Sequence, residues 1–166
     1  MHGAKSSGKL TDYGIQLKAK QKAKSIYGVQ EVQFKNYYLK AKKLKGLVGD
    51  NLLSLLEKRL DNVLYLSGLC LSRSSAKQII GHGHILVNDQ VMDIPSYQTK
   101  VGDVISLDKK IVDKIGTLPA DDSDFKTKSW LDLNKKNFTV KVISEPLKDE
   151  IGNDIDINLI IEYYSR

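Results

Sequence analysis

The sequence has little cysteine, little proline and no long apolar stretch. Cys70 is the only cysteine among 166 residues, so an intramolecular disulfide is excluded and a cysteine zinc site would need further ligands. The longest apolar runs are far shorter than the roughly 20 residues that span a membrane, and the first ten residues lack an apolar signal segment. These absences favour a protein of the cytoplasm or of an organelle matrix, with no membrane partner.

Arginine is missing from the first 50 residues, although lysine is abundant there. Residues 1–50 carry 11 lysines and 3 acids, for a net charge of +8, whereas residues 111–166 have a net charge of −3. The whole chain is at +6, which favours an acidic partner, nucleic acid before anionic membrane. We expect that partner to lie mainly against the N-terminal third.

The N-terminal third is predicted to be helical after a flexible basic arm at residues 1–9. Thr11 or Asp12 suits the N-cap of a first helix, and Gly28 suits its end. Lys18 and Lys22 fall on one side of this helix and Lys20 and Lys24 on the opposite side. A helix that is cationic on two sides is either freely solvated or surrounded by polyanion, and we favour the second interpretation.

Two more helices are predicted before residue 70. The helix at about 30–45 has an apolar stripe, Phe34, Tyr37, Tyr38, Ala41 and Leu44, which is typical of a core, although Tyr37 or Tyr38 could instead stack on a base. The next helix is predicted to run unbroken from an N-cap at Asp50 to Gly68, with leucines at helical spacing.

The second half of the chain predicts short strands. Residues 84–88 and 91–94 form a hairpin through Asn88, "VISL" follows a Gly102 turn, and residues 130–134 and 138–143 form another hairpin. Residues 111–128 are interpreted mainly as linker. The C-terminal run is predicted to be a short helix, with a strand as the alternative.

The stretch "SRSSAKQIIGHGHILVND" at residues 72–89 predicts a short helix with two different faces. Apolar side chains occupy one arc, and beside it lies an arc with two cations, a hydroxyl and an amide: Arg73, Ser74, Lys77 and Gln78. Ser72 suits the N-cap, and His82 follows in a glycine turn. These groups suit phosphate and ribose oxygens, although an ordinary solvated face would have the same composition.

Five short motifs occur in order within about residues 59–109: R-L-D-N, S-R-x-x-A, G-H-I-x-V-N, S-Y and G-D. Together they resemble the RNA-binding module of the family of the fourth protein of the small ribosomal subunit. The flanks resemble the ribosomal protein family itself, through "LTDYGIQL" and "IYGVQEVQF" near the N-terminus and "DIDINLIIEYYSR" at the C-terminus. Relatives usually have a further N-terminal segment, sometimes with a cysteine zinc site. Met1 stands in its place, so we expect a shortened chain.

The resemblance implies an α+β fold in two lobes. Residues 1–50, joined by the tail 151–166, would form a Lys-rich helical lobe. Residues 51–150 would form an α/β lobe with a small antiparallel sheet covered by helices on one side. The implied function is that of a structural constituent of the small subunit. It would bind ribosomal RNA at a multi-helix junction of the 5′ domain and nucleate assembly. It would lie beside neighbouring small-subunit proteins near the path by which messenger RNA enters, and influence translational accuracy.

The predicted RNA-binding residues come from the motifs and from the basic segments. Lys5 and Lys9 match basic residues that lie toward messenger RNA in the family. The full predicted set is Lys5, Lys9, Lys18, Lys20, Lys22, Lys24, Tyr27, Lys35, Arg59, Ser72, Arg73, Ser74, Lys77, Gln78, His82, Asn88 and Tyr97.

Two other classes of protein compete with this hypothesis. A stand-alone RNA-binding stress or assembly factor would lack the long Lys-rich segment and the "EYYSR" ending. An enzyme with the module as an appendage, such as a pseudouridine synthase, would need a catalytic domain for which too few residues remain. No nucleophile elbow surrounds Ser72 or Ser74, and His82 and His84 would point to opposite faces of a strand. We therefore expect no enzyme, no catalytic residue, no metal and no cofactor.

Overall fold

The computed structural model describes residues 11–151 and 154–166. Its helices, numbered in chain order, are α1 Asp12–Tyr27, α2 Glu31–Lys43, α3 Val48–Glu57, α4 Leu60–Leu66, α5 Arg73–Gly81, α6 Lys109–Val112 and α7 Ile157–Tyr164. Its strands are β1 Ile85–Val87, β2 Gln90–Val91, β3 Val104–Leu107, β4 Leu131–Asn134 and β5 Thr139–Val142, with 3₁₀ turns at Pro119–Asp121 and Lys148–Glu150. The predicted α+β class is confirmed.

The five strands form one antiparallel sheet in the order β2-β1-β3-β5-β4. The β1–β2 hairpin pairs Val87 with Gln90, and its two turn residues, Asn88 and Asp89, have φ of 52° and 68°. Two consecutive left-handed residues match the twist of a tight hairpin, and Asn and Asp accept that conformation. The hairpin predicted at this place is confirmed.

Helices cover one face of the sheet. Ile85, Ile105 and Val140 alternate inward from three neighbouring strands and are fully buried. They pack in one core with Ile80 of α5 and with Trp130, which has no exposed surface. Residues on the outward face, such as Val104, remain exposed.

The chain divides into two compact units. The α/β unit is Leu52–Ile151, and the helical unit holds the described residues up to Asn51 together with 154–166. In the helical unit, α7 packs against α1 and α2, and Phe34, Ala41 and Ile160 are fully buried. The predicted C-terminal helix is confirmed, and its strand alternative is wrong.

The long helix predicted between Asp50 and Gly68 is wrong, because the chain breaks at Arg59 into α3 and α4. Arg59 has extended backbone angles and forms a β-bridge with Gln98. The amide of Leu60 donates to the carbonyl of Tyr97 at 2.9 Å. Asp50 lies in the first turn of α3 rather than at its N-cap. Pairing with a segment about 40 residues away therefore replaces helical hydrogen bonds at this point.

Residues 111–128, predicted mainly as linker, instead fold onto the α/β core. Leu118 and Ala120 are buried, and the amide of Ala120 donates to the carbonyl of Gly68 at 3.2 Å. A side chain at Gly68 would meet Phe125 at 2.7 Å, and φ is +80° there. The close approach and the left-handed angle both require glycine.

Candidate nucleic-acid interface

Helix α5 presents a polar face beside a buried one, as predicted. The Ser72 side chain accepts from the amide of Ser75, and the Ser75 hydroxyl accepts from the amide of Ser72, each at 3.0 Å, which completes a capping box. Ala76 and Ile80 are fully buried. Ser74 and Gln78 are exposed on the other side, and Lys77 is half-buried.

A buried carboxylate, Asp61, organises the cations next to this face. Asp61 and Arg59 are 0% and 3% exposed, and the Arg59 guanidinium donates to both Asp61 oxygens at 3.1 and 2.8 Å. The backbone amide of Asn62 also donates to Asp61 Oδ1, at 2.7 Å. Arg59 was predicted to bind RNA, with local pairing as the alternative, and its burial in this ion pair favours the alternative.

Arg73 is held in place by two residues of α4. Its Nε donates to Asn62 Oδ1 at 2.9 Å, and its guanidinium carbon lies 4.5 Å from the centroid of the Tyr65 ring. The side-chain amide of Asn62 in turn donates through Nδ2 to the backbone carbonyl of Glu57 at 2.8 Å. The orientation of Arg73 is therefore set before any ligand arrives, which lowers the entropy cost of binding.

Lys77 completes the cationic surface. Its Nζ lies 4.0 Å from Asp61 Oδ2. Burial lowers the pKa of Lys77, Asp61 opposes that shift, and the charges of Arg59 and Arg73 add to the lowering. A second buried carboxylate, that of Glu57, lies in the same network, with its Oε2 3.4 Å from Asn62 Nδ2. Because the charges of Arg59 and Arg73 disfavour the charged form of Lys77, a bound anion would stabilise its ammonium. We call this surface, formed by Arg73, Ser74, Lys77, Gln78 and His82, the α5 surface.

His82 is exposed at the end of α5, and the rings of His82 and His84 have centroids 6.4 Å apart. His84 is half-buried, and its Nδ1 lies 3.9 Å from Asp108. Within the described residues, no group of three or more His, Cys, Asp or Glu side chains could hold a metal ion. Cys70 is buried, and burial raises the pKa of its thiol to about 12, as expected for an inert core residue.

Asn88 and Tyr97, also predicted to bind RNA, hold the carboxylate of Asp103. The Tyr97 hydroxyl donates to it at 2.8 Å and the Asn88 amide at 3.0 Å. Burial acts to raise the pKa of Asp103, but hydrogen bonds from the Lys100 amide, Asn88 and Tyr97 outweigh it and lower the pKa. Burial, with the bond to Asp103, raises the pKa of Tyr97 to about 12. These two side chains stabilise the turn before β3.

The α1 helix does not expose cations on both of the two sides that the sequence-based interpretation gave it. Lys20 is buried, and its Nζ lies 2.6 Å from Glu31. Lys24 Nζ lies 3.1 Å from the same Glu31 oxygen, and Ala23 and Tyr27 are buried on that side. Tyr27, predicted to bind RNA, is therefore a core residue.

The other predicted residues of the helical unit are divided between exposed and undescribed positions. Lys18, Lys22 and Lys35 are exposed. Lys5 and Lys9 lie outside the described residues. The base-stacking alternative for Tyr37 and Tyr38 is not favoured, because both are buried.

Asp61, Asn62 and Tyr65 are functional candidates that the sequence-based set omits. Asp61 and Asn62 lie off the apolar stripe of α4, yet neither has exposed surface, and buried polar groups are costly unless they are paired. Their partners, in α5, could not be read from α4 alone.

Two family models match adjacent parts of the chain. The model described as S4 domain matches residues 58–105, and the model described as Ribosomal protein S4/S9 N-terminal domain matches residues 1–57. Small ribosomal subunit protein uS4 of Endomicrobium trichonymphae is 45% identical over 175 aligned positions, which cover 99% of this chain and 79% of that protein. Protein uS4A of Clostridium acetobutylicum is 45% identical, covering 100% of this chain and 80% of that protein. The chain belongs to the uS4 family.

Within this uS4 family member, the two matches meet at the end of α3, next to the break at Arg59. The whole α5 surface lies in the S4 domain match, and the exposed lysines of α1 and α2 lie in the N-terminal match. No helix among residues 11–151 and 154–166 has the length and apolar character to cross a membrane.

Proposed function

We propose that this chain is a structural component of the small ribosomal subunit that binds small-subunit ribosomal RNA through the α5 surface. The curated relatives are named as small ribosomal subunit proteins, which also favours a structural over an enzymatic role. The main observation that supports this proposal is a network of α4 side chains, Asp61, Asn62 and Tyr65. This network positions Arg73 and Lys77 beside exposed hydroxyl and amide groups.

The chemistry of this surface fits a folded RNA. Guanidinium and ammonium groups bind phosphate, and Ser74 and Gln78 offer hydrogen bonds to phosphate or 2′-hydroxyl oxygens. The groups lie on a preformed helix, so the surface would recognise RNA shape more than base sequence. The proposed target, on the family resemblance, is a multi-helix junction of the 5′ domain.

The exposed lysines Lys18, Lys22 and Lys35 are proposed to add phosphate contacts from the helical unit. On the same resemblance we propose a role in early assembly and in translational accuracy, neighbouring small-subunit proteins as further partners, and contact with messenger RNA through Lys5 and Lys9. The protein would act on the ribosome, in the cytoplasm or in an organelle matrix.

A filter-binding titration of the full chain tests the RNA proposal. The probe is the 5′ domain of a bacterial small-subunit ribosomal RNA, and the control is an unrelated folded RNA of equal length. Several phosphate contacts predict a log–log salt slope of several units for both RNAs, with tighter binding to the 5′ domain at every salt concentration. Equal affinity for the two RNAs, or a salt slope near zero, would contradict the proposal.

A further inference from the structure

A second surface of the α/β unit has the form of a small ligand pocket. It has a volume of about 480 Å³ and lies beside α6 and the turn between β4 and β5. Its lining combines apolar, cationic, amide and acidic side chains: Leu107, Lys109, Val112, Asp113, Lys136, Asn137 and Phe138. Pockets of this volume hold small organic molecules.

Phe138 has an unusual conformation in this pocket. It has φ of 53° at the last position of the four-residue turn that joins Asn134 to its partner Thr139. Glycine or asparagine normally occupies such a position, and a bulky residue there is an outlier. Phe138 is partly buried, packs against the core and also lines the pocket. Backbone strain of this kind is concentrated at ligand sites.

The polar groups around Phe138 suit a nucleotide. Lys109 and Lys136 are exposed on the pocket wall and supply positive charge for a phosphate. The aromatic ring offers a stacking face for a base. The carboxylate of Asp113 would accept a hydrogen bond from an exocyclic amino group.

We propose that this pocket binds one unpaired nucleotide of RNA, with its base on Phe138 and its phosphate near Lys109 and Lys136. The inference rests on the proposed RNA-binding function and adds a second contact point to the α5 surface. The acceptor Asp113 favours a base with an amino group, such as cytosine, over uracil.

The test compares variants that keep or remove the ring. The probe is again the 5′ domain of a bacterial small-subunit ribosomal RNA. We expect Phe138→Leu to weaken affinity at least about fivefold through loss of base stacking, whereas Phe138→Tyr, which keeps the ring, stays within about twofold. Lys136→Ala should weaken binding more than Lys135→Ala, because Lys135 is exposed but does not line the pocket.

Direct occupancy is measured by titrating the chain with the pentanucleotides C₅ and U₅ and following backbone amide NMR shifts. We expect C₅ to shift the amides of Asn137 and Phe138 more than U₅ does. Two variants decide the outcome: Phe138→Leu, and the double variant Lys109→Ala with Lys136→Ala. If both bound the 5′ domain as tightly as wild type, the proposal for the pocket would be wrong, and the proposal for the α5 surface would not be affected. If Phe138→Leu fails to fold, the lysine pair alone decides. Failure of the wild-type chain to prefer the 5′ domain would instead overturn the proposed function and this inference together.

Discussion

Both units contain a carboxylate that pairs with cations, but they use it differently. In the helical unit, Glu31 pairs with Lys20 and Lys24 and also accepts from the Tyr164 hydroxyl at 3.1 Å, while its side chain remains 44% exposed. In the α/β unit, Asp61 has no exposed surface and binds Arg59 at two points.

The comparison shows that lysines which are dense in the sequence are not all exposed in the structure. The first 50 residues hold the largest positive charge, yet Lys20 and Lys24 bind Glu31 next to the C-terminal helix. The α/β unit is nearly neutral in sequence, yet it concentrates Arg73 and Lys77 next to a buried ion pair. Positive charge therefore meets solvent in both units, at Lys18, Lys22 and Lys35 of the helical unit and at the α5 surface of the α/β unit.

The largest expected effect comes from removing the buried carboxylate. Asp61→Asn removes the carboxylate that accepts two hydrogen bonds from the buried Arg59 guanidinium, so we expect a loss of about 3–5 kcal/mol in the free energy of unfolding. Urea denaturation measures it. Asp132→Asn, at an exposed strand position, is the control and should change stability by less than about 0.5 kcal/mol. An Asp61 variant as stable as the control would remove the distinction between the two clusters.

A second buried carboxylate of the α/β unit should show its role in the pH dependence of stability. The pKa of Asp103 is lowered in the folded state, so its contribution is present above the ordinary pKa near 3.8 and is lost as pH falls through the lowered value. We expect Asp103→Asn to cost about 1–3 kcal/mol at pH 7. The difference from wild type should shrink below about pH 4. A difference that stays constant from pH 7 to pH 2 would show that the carboxylate charge contributes nothing.

The helical cluster should be less sensitive. Glu31→Gln keeps hydrogen-bonding capacity and changes a partly exposed ion pair, so we expect a loss of about 0.5–1 kcal/mol. Burial acts to raise the pKa of Glu31, but Lys20 and Lys24 outweigh it and lower that pKa. The loss should therefore also diminish in acid. Thermal unfolding of both proteins at pH 7 and at pH 3, each at two salt concentrations, measures this loss. A loss as large as that in Asp61→Asn would make the two clusters equivalent.

Local signals predicted much of this fold. The Thr11 cap accepts from Gly14 at 3.0 Å, Gly28 ends α1 with φ of 65°, and Ser72 begins α5. Each depends on side chains within a few residues, which periodicity and capping rules can detect. The polar and apolar faces of α5 were predicted for the same reason.

Features that depend on distant partners were not predictable. The break between α3 and α4 depends on the β-bridge from Arg59 to Gln98. The burial of Lys20 depends on the C-terminal helix, where the centroid of the Tyr163 ring lies 4.3 Å from Lys20 Nζ. Asn88 and Tyr97 matched the family motifs, but their bonds to Asp103 became evident only in three dimensions. A motif identifies the residues that a family shares, but it does not separate residues that contact a ligand from residues that stabilise the fold.

Equal loss of charge from three places tests most directly whether the α5 surface binds RNA. The variants are Arg73→Ala with Lys77→Ala on the α5 surface, Lys18→Ala with Lys22→Ala on α1, and Lys114→Ala with Lys126→Ala as an exposed control pair. We expect the first pair to weaken binding of the 5′ domain by about 1–3 kcal/mol, the second by less, and the control within error. Stability should change by less than about 1 kcal/mol in the second and third pairs, and by about 1–3 kcal/mol in the first, because the buried Asn62 loses its hydrogen bond from Arg73. Affinity is therefore measured at a temperature at which all three variants are folded. If the α5 pair bound RNA as tightly as the control pair, the α5 surface would not be the RNA-binding face.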